Sequence, residues 1–250
     1  MAAADFDFDG AVDLVLGYGT SGGGLIALLR GNPDAFAPKD QNLYRAALRG
    51  NVPPTFLPSA AIFRVPESPD FLATGDFNRD GYQDLLVGTK NGGLYLLDGD
   101  GRGNLREPKA ISLPGVVAAL AVTSAGQVAV GIDGPAGPRL VLFASSRSGL
   151  VNAATYTLPA RATSIAWGAL GGGNGTDLAV SSGASVVVIY GAFNARARRT
   201  TINLGFHAEA LTLGDFIWDR NGVTEIAVLG NDGVVRILQH GSLDTRPLTA

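Results

Sequence analysis

The chain has 250 residues, of which 46% are apolar, 35 are glycine and only 16% are charged. That is enough apolar material for one large all-β domain or two ordinary ones, in a composition suited to short strands and tight turns rather than helical bundles. A net charge of -3 and a pI near 5.3 provide no basic footprint for nucleic acid or an anionic membrane surface, and the lack of cysteine excludes disulfides and thiolate chemistry.

The first ten residues, MAAADFDFDG, have neither the basic start nor the apolar core of an export signal, and no apolar stretch approaches the length of a membrane span. They read as the end of a strand, so the expectation is the remainder of a longer protein whose signal lay upstream. From Asp13 the stretch DLVLGYGTSGGGLIALLRG is a β-hairpin: a short apolar strand, a glycine-rich turn and a second apolar strand. Residues 32–59 then interrupt the pattern as an insertion. Within it Asp40 is a helix N-cap, Leu43, Ala47 and Leu48 lie on one side, and Gly50 is the stop.

The hairpin recurs from Asp84 (DLLVGTKNGGLYLLDG), Gln127 (QVAVGIDGPAGPRLVLFAS), Asp177 (DLAVSSGASVVVIYGA) and Glu225 (EIAVLGNDGVVRILQHG). A second landmark, a leucine ending an outer strand, falls at Leu113, Leu158, Leu204 and Leu248, at intervals of 45, 46 and 44 residues. A further strand-like piece lies between each landmark and the next hairpin. Four strands per repeat, some apolar throughout, need cover on both faces, and a radial stack of blades supplies it. The expected architecture is therefore an all-β, single-domain β-propeller of about five four-stranded blades. Its repeats span approximately 1–66, with the insertion at 32–59, then 67–114, 115–159, 160–205 and 206–250. Five blades closing a ring and a larger propeller shown in part are both compatible with this pattern.

The stretch GDFNRDGYQDLLVG concentrates chemistry. With Asp76 as position 1, oxygen-bearing side chains fall at 1, 3, 5 and 9 (Asp76, Asn78, Asp80, Asp84), glycine at 6 and the carbonyl of Tyr82 at 7. Alternate residues of a tight loop turn their oxygens inward, which suits a hard cation. The first repeat has the same pattern in Asp5, Asp7, Asp9 and Asp13, with Ala11 supplying the carbonyl. Gathering three or four carboxylates is costly, since like charges about 4 Å apart repel by about 4 kcal/mol at an effective dielectric near 20. A divalent ion reverses that sign. An oxygen-only, flexible set favours calcium over magnesium, and without histidine or cysteine it disfavours zinc. In the fifth repeat Asp219, Asn221 and Glu225 form a degenerate copy. The fourth repeat keeps only Asp177, and its glycine-rich turn is expected to shape the loop unaided.

These loops and strands resemble the FG-GAP/VCBS repeat family, whose signature D-x-[DN]-x-D-G-x-x-D-L-x-V is nearly complete in the second repeat and present as a core in the first. The resemblance implies a calcium-stabilised propeller of the kind found in integrin α chains and secreted bacterial proteins. It also implies an extracellular or cell-surface adhesion or binding role with a protein or glycan ligand.

The sequence carries little that suits catalysis. His207 sits in a turn and His240 at a strand end, no G-x-S-x-G surrounds a serine, and the clustered carboxylates are accounted for by the loops. Arg196, Arg198 and Arg199 read as a solvated turn and Trp167 as core, while Trp218 is the candidate for ligand contact. The expected function is non-catalytic. The alternative is a lectin-like or accessory propeller of a secreted carbohydrate-active enzyme. The sequence sets no oligomeric state.

Overall fold

A computed structural model describes residues 1–90, 92–171, 176–217, 224–239 and 242–244. The fold is the expected all-β propeller, built from five four-stranded antiparallel sheets in which each strand pairs with its neighbour in sequence. The first sheet contains β1 (Ala2–Ala4), β2 (Asp13–Thr20), β3 (Gly23–Gly31) and β4 (Phe56–Val65). The second contains β5 (Phe71–Gly75), β6 (Asp84–Gly88), β7 (Leu94–Leu97) and β8 (Lys109–Ala110). The third is β9 (Val116–Val122), β10 (Val128–Asp133), β11 (Arg139–Ser146) and β12 (Gly149–Thr157). The fourth is β13 (Ala162–Gly168), β14 (Asp177–Ser182), β15 (Ser185–Tyr190) and β16 (Arg198–Asn203). The fifth is β17 (Ala208–Gly214), β18 (Glu225–Gly230), β19 (Val235–Gln239) and β20 (Ser242–Asp244).

Composition follows position within each sheet. β6 and β14 are buried at every residue, as central strands covered on both faces should be, including the aspartate that opens each and, in β14, Ser181 and Ser182. The outermost β16, rich in arginine and threonine, is exposed at all but Ile202. Charge on an outer strand keeps its free edge from pairing with other chains.

The chain divides into two compact units. One comprises residues 1–113 with 124–126 and 145–150, and the other takes the remaining residues. In the first, β1 lies beside β5, and Phe6, Val15, Ile26, Leu28, Leu85, Val87 and Leu97 form the core between the two sheets. In the second, β9, β13 and β17 lie side by side. Leu140, Leu142, Leu178, Val180 and Ile189 form one core there, and Val186, Val188, Leu211, Ile226 and Val228 another. Each such side chain contributes about 1.5–3 kcal/mol when fully buried.

In the insertion the expected helix forms as α2 (Gln41–Leu48), with the Asp40 carboxylate accepting from the Asn42 N–H at 2.6 Å, and Gly50 follows it at φ 85°. A second, one-turn helix, α1 (Pro33–Phe36), was not anticipated. Asn32 caps it and proline takes its first turn, so the signal was present in NPDAF. The insertion also ends earlier than residue 59, because β4 starts at Phe56 in order to pair with Gly31. None of the described helices is long and apolar enough to cross a membrane.

Candidate metal-binding loops

The segments joining β1 to β2 and β5 to β6 make the same hydrogen bonds at corresponding residues. At position 1, Asp5 accepts from the Gly10 N–H at 3.1 Å and Asp76 from the Gly81 N–H at 3.0 Å. At position 3, Asp7 accepts from Asp9 N–H at 3.3 Å and Asn78 from Asp80 N–H at 3.0 Å. At position 5, Asp9 accepts from Ala11 N–H at 2.8 Å and Asp80 from Tyr82 N–H at 2.9 Å. The backbone agrees: Phe8 and Arg79 at position 4 have φ 56° and 57°, and Gly10 and Gly81 at position 6 have φ 91° and 90°. Glycine meets that last requirement without strain, whereas the left-handed conformation costs the phenylalanine and arginine about 1–2 kcal/mol each. Phe6 and Phe77 at position 2 are driven into the core and anchor the loops from beneath.

The carboxylate at position 9 has a role that reading residue types missed. Asp13 is fully buried and accepts from Phe6 N–H and Gly31 N–H, both at 2.8 Å. Asp84 repeats this with Phe77 N–H and Gly99 N–H, both at 2.9 Å. Each clamps the start of its loop to the residue that ends or follows the third strand. Asp177 does the same in the fourth sheet, accepting from Leu170 N–H at 3.0 Å, Gly171 N–H at 2.8 Å and Gly191 N–H at 2.7 Å. The expectation that the glycine-rich turn shapes this loop unaided is thereby corrected, because a buried carboxylate ties it down. In the fifth sheet Glu225 accepts from Phe216 N–H at 2.9 Å and Ile217 N–H at 3.3 Å. The legible signal was an acidic residue opening the second strand of four sheets out of five.

The first loop concentrates negative charge. Asp5, Asp7 and Asp13 each offer an oxygen within 4.8 Å of the others, the one such acidic group among the described residues. Asp5 Oδ1 is buried without a hydrogen-bond partner. Burial, then repulsion from Asp9, raises the Asp7 carboxyl above its ordinary range, although Arg30 stands 3.5 Å away as a half-exposed counter-charge. Burial likewise raises Asp13, with Asp7 and Asp5 adding to the effect. An orphaned oxygen inside a group of crowded carboxylates fits a hard cation, and these residues are able to hold one.

In the second loop Asn78 replaces one carboxylate, and its amide nitrogen donates to Asp80 Oδ2 at 3.1 Å. Burial pushes Asp84 up to about 6, with Asp98 and Asp80 adding repulsion. Asn78 and Asp80 also line a cavity of about 290 Å³ together with Asp98, Lys109 and Arg147. Asp98 pairs with Lys109 through one oxygen and buries the other without a partner. The exposed rings of Phe8 and Tyr82 meet edge to face at 5.8 Å, linking the tips of the two loops.

Ala11 is buried and donates to Asp9, while Tyr82 is exposed. Of the fifth-repeat set only Glu225 can be located, since Trp218, Asp219 and Asn221 lie outside the described residues, as does His240. His207 is exposed. Trp167 stacks on Phe193 with centroids 5.8 Å apart, against the core of its unit.

The FG-GAP repeat family matches residues 68–104, the segment containing the second loop. No curated protein matches the chain. Among solved structures, BBS1N in complex with ARL6DN and soaked with lead is similar, with 18% identity and a TM-score of 0.59, over 99% of this chain and 63% of that one. The mercury-soaked crystal of the same complex gives 19% identity and a TM-score of 0.54, over 96% and 59%. The chain thus spans less than two thirds of the length of these propeller structures, and the likeness to them is one of fold.

Proposed function

We propose that this chain is a non-catalytic, calcium-stabilised binding or adhesion module, working outside the cell or at its surface on a protein or glycan ligand. The observation that carries the reading is the first loop, where three carboxylates converge around an oxygen, Asp5 Oδ1, that is buried and unpartnered. Asp5, Asp7, Asp9 and Asp13 with the Ala11 carbonyl would hold one ion. Asp76, Asn78, Asp80 and Asp84 with the Tyr82 carbonyl would hold a second, and Asp219, Asn221 and Glu225 a degenerate third. When bound, the ion supplies two positive charges that offset carboxylate repulsion.

The chain's own residues do the rest. Asp13 and Asp84 hold each loop to its hairpin, Phe6 and Phe77 root it in the core, and the glycines at position 6 turn the backbone. An ion that binds only the folded loop stabilises the fold by mass action, and millimolar extracellular calcium fills even weak sites. The extracellular assignment rests on that concentration. A protein ligand draws support from BBS1N, a fold relative crystallised with a protein partner, ARL6DN. A non-catalytic role draws support from the clustered acids, most of which already accept backbone N–H groups.

The test is calorimetric titration of chelator-treated protein with calcium, alongside thermal melting. Binding heat and a raised Tm, both lost in Asp5→Asn/Asp7→Asn, are expected. Absence of both heat and Tm change in the native sequence overturns the reading.

A further inference from the structure

The fourth strand of a sheet has a neighbour on one side only, so its far edge carries main-chain N–H and C=O groups that no described strand pairs. β4, β8, β12 and β16 share this position and differ in how the edge is defended. β8 has only two residues, and β16 carries Arg198 and Arg199. β4 is the longest described strand, at 10 residues, and Arg64 is its only charge. Its start is protected, because Pro58 has no N–H and the pairing with β3 is irregular between Gly31 opposite Phe56 and Leu29 opposite Ala60. From Ala60 to Val65 the register is unbroken, which leaves a regular edge.

A cleft of about 310 Å³ lies against that edge. Ile62, Phe63 and Arg64 line one side of it and residues 105–108 the other, all within the first unit. Consecutive strand residues point to opposite faces, so a cleft lined by three in a row reaches the main chain itself, and β3 already occupies the other edge of β4. The facing wall is fixed in place: Leu105 is buried, and the Arg106 N–H donates to the Asp98 carbonyl at 2.8 Å. The volume falls at the lower end of ligand cavities, about 300–1,000 Å³, which suits an extended segment of chain rather than a folded body.

The side chains specify what such a segment should carry. Phe63 packs against the core of the first unit, to which Leu105 belongs, and Pro108 adds further apolar surface to the cleft. Ile62 is 58% exposed. Arg64 and Arg106 are both exposed, and Glu107 is the one acid among the lining residues. None of these three charged side chains has an ion pair or hydrogen bond among the described residues. Two unanswered guanidinium groups beside apolar surface complement a strand that is apolar on one face and acidic on the other.

We infer that the cleft takes an extended segment of a partner protein, alternating apolar with acidic residues, as an added strand on β4. Main-chain groups of the segment would pair with the edge at residues 60–65, the mode of recognition in which backbone bonds give affinity and alternate side chains give specificity. Apolar side chains would cover Phe63 and Leu105, and acidic ones on the opposite face would meet Arg64, with Arg106 across the cleft. The inference rests on the protein-ligand part of the proposed function, and none of the lining residues belongs to either acidic loop.

Calorimetry of the full chain with the capped peptide Val-Glu-Val-Glu-Val-Glu-Val tests this. Saturable binding is expected in chelator as well as in calcium, which keeps the outcome separate from that of the calcium titration. The same peptide N-methylated throughout keeps its side chains but cannot donate from its backbone, and it should not bind. Nor should the counterpart with lysine in place of glutamate. Arg64→Glu/Arg106→Glu should weaken binding at least about tenfold at an unchanged Tm, whereas Val151→Glu on β12, an uncharged outer strand of nine residues, should leave it unaltered. Peptide-induced amide shifts should concentrate at residues 60–65. No saturable binding at millimolar peptide, equal binding of the methylated or lysine peptide, a double variant that binds like the native protein, or shifts on β12 in place of β4 each overturns the proposal.

Discussion

The loop at residues 5–13 and the one at 170–177 end on the same device and differ in everything before it. Asp13 and Asp177 both bury a carboxylate that accepts backbone N–H groups from the loop start and from beyond the third strand. Ahead of Asp13 stand three more aspartates, whereas Leu170 and Gly171, which Asp177 binds, precede a stretch with no other acid. Shaping the loop and gathering charge are therefore separable tasks. The clamp serves the fold wherever it occurs, and the added carboxylates in the first two repeats both accept loop N–H groups and bring negative charge together.

Substitutions can split the two tasks. The largest effect should come from Asp13→Ala, which strands two buried N–H groups and also removes an acid from the cluster. Unfolding in urea should show a loss of about 3 kcal/mol in chelator, and a larger one in calcium. Asp177→Ala should cost a similar amount, about 3 kcal/mol, but the same amount in both media. A calcium-dependent loss there would join the two tasks again. Asp5→Asn should reverse the pattern. Without calcium it should leave stability unchanged or raise it by up to about 1 kcal/mol, as a repelling charge goes, while the calcium-induced rise in Tm shrinks.

A smaller effect concerns pH. Asp84 titrates near 6 in the fold, above its ordinary 3.8, chiefly because it is buried. The folded state thus holds this proton more tightly, so the contribution is fully present below about 3.8 and lost as pH rises through about 6. Chelator-treated protein should lose about 1 kcal/mol between pH 5 and pH 7.5 from this group, and Asp84→Asn should flatten that part of the profile. Smallest of all, Tyr82→Ala should cost about 0.5–1.5 kcal/mol through its edge contact with Phe8 and leave the calcium response in place.

Much of this was readable from residue order. Four of the five hairpins begin at the residue expected from the apolar run and the third one residue later, at Val128 instead of Gln127, and Asp40 caps its helix as the pattern Asp-Gln-Asn-Leu suggests. The positions of both acidic loops followed from alternation around a glycine. What residue types could not reveal was the target of the ninth carboxylate. Its partners are main-chain N–H groups 15 to 18 residues onward in the first two repeats, and every residue but proline carries one. The start of β4 was hidden for a related reason, as Phe56 becomes strand only because Gly31 is there to pair with it.

The two helices between β3 and β4 bury none of their side chains, and the Asn32 N–H already reaches the Thr55 carbonyl at 2.9 Å across their base. The segment is thus closed at its neck like a handle, so residues 33–54 can be trimmed to a tight turn or exchanged for a foreign peptide. The scaffold beneath offers a ready place to display an epitope or a fluorescent label.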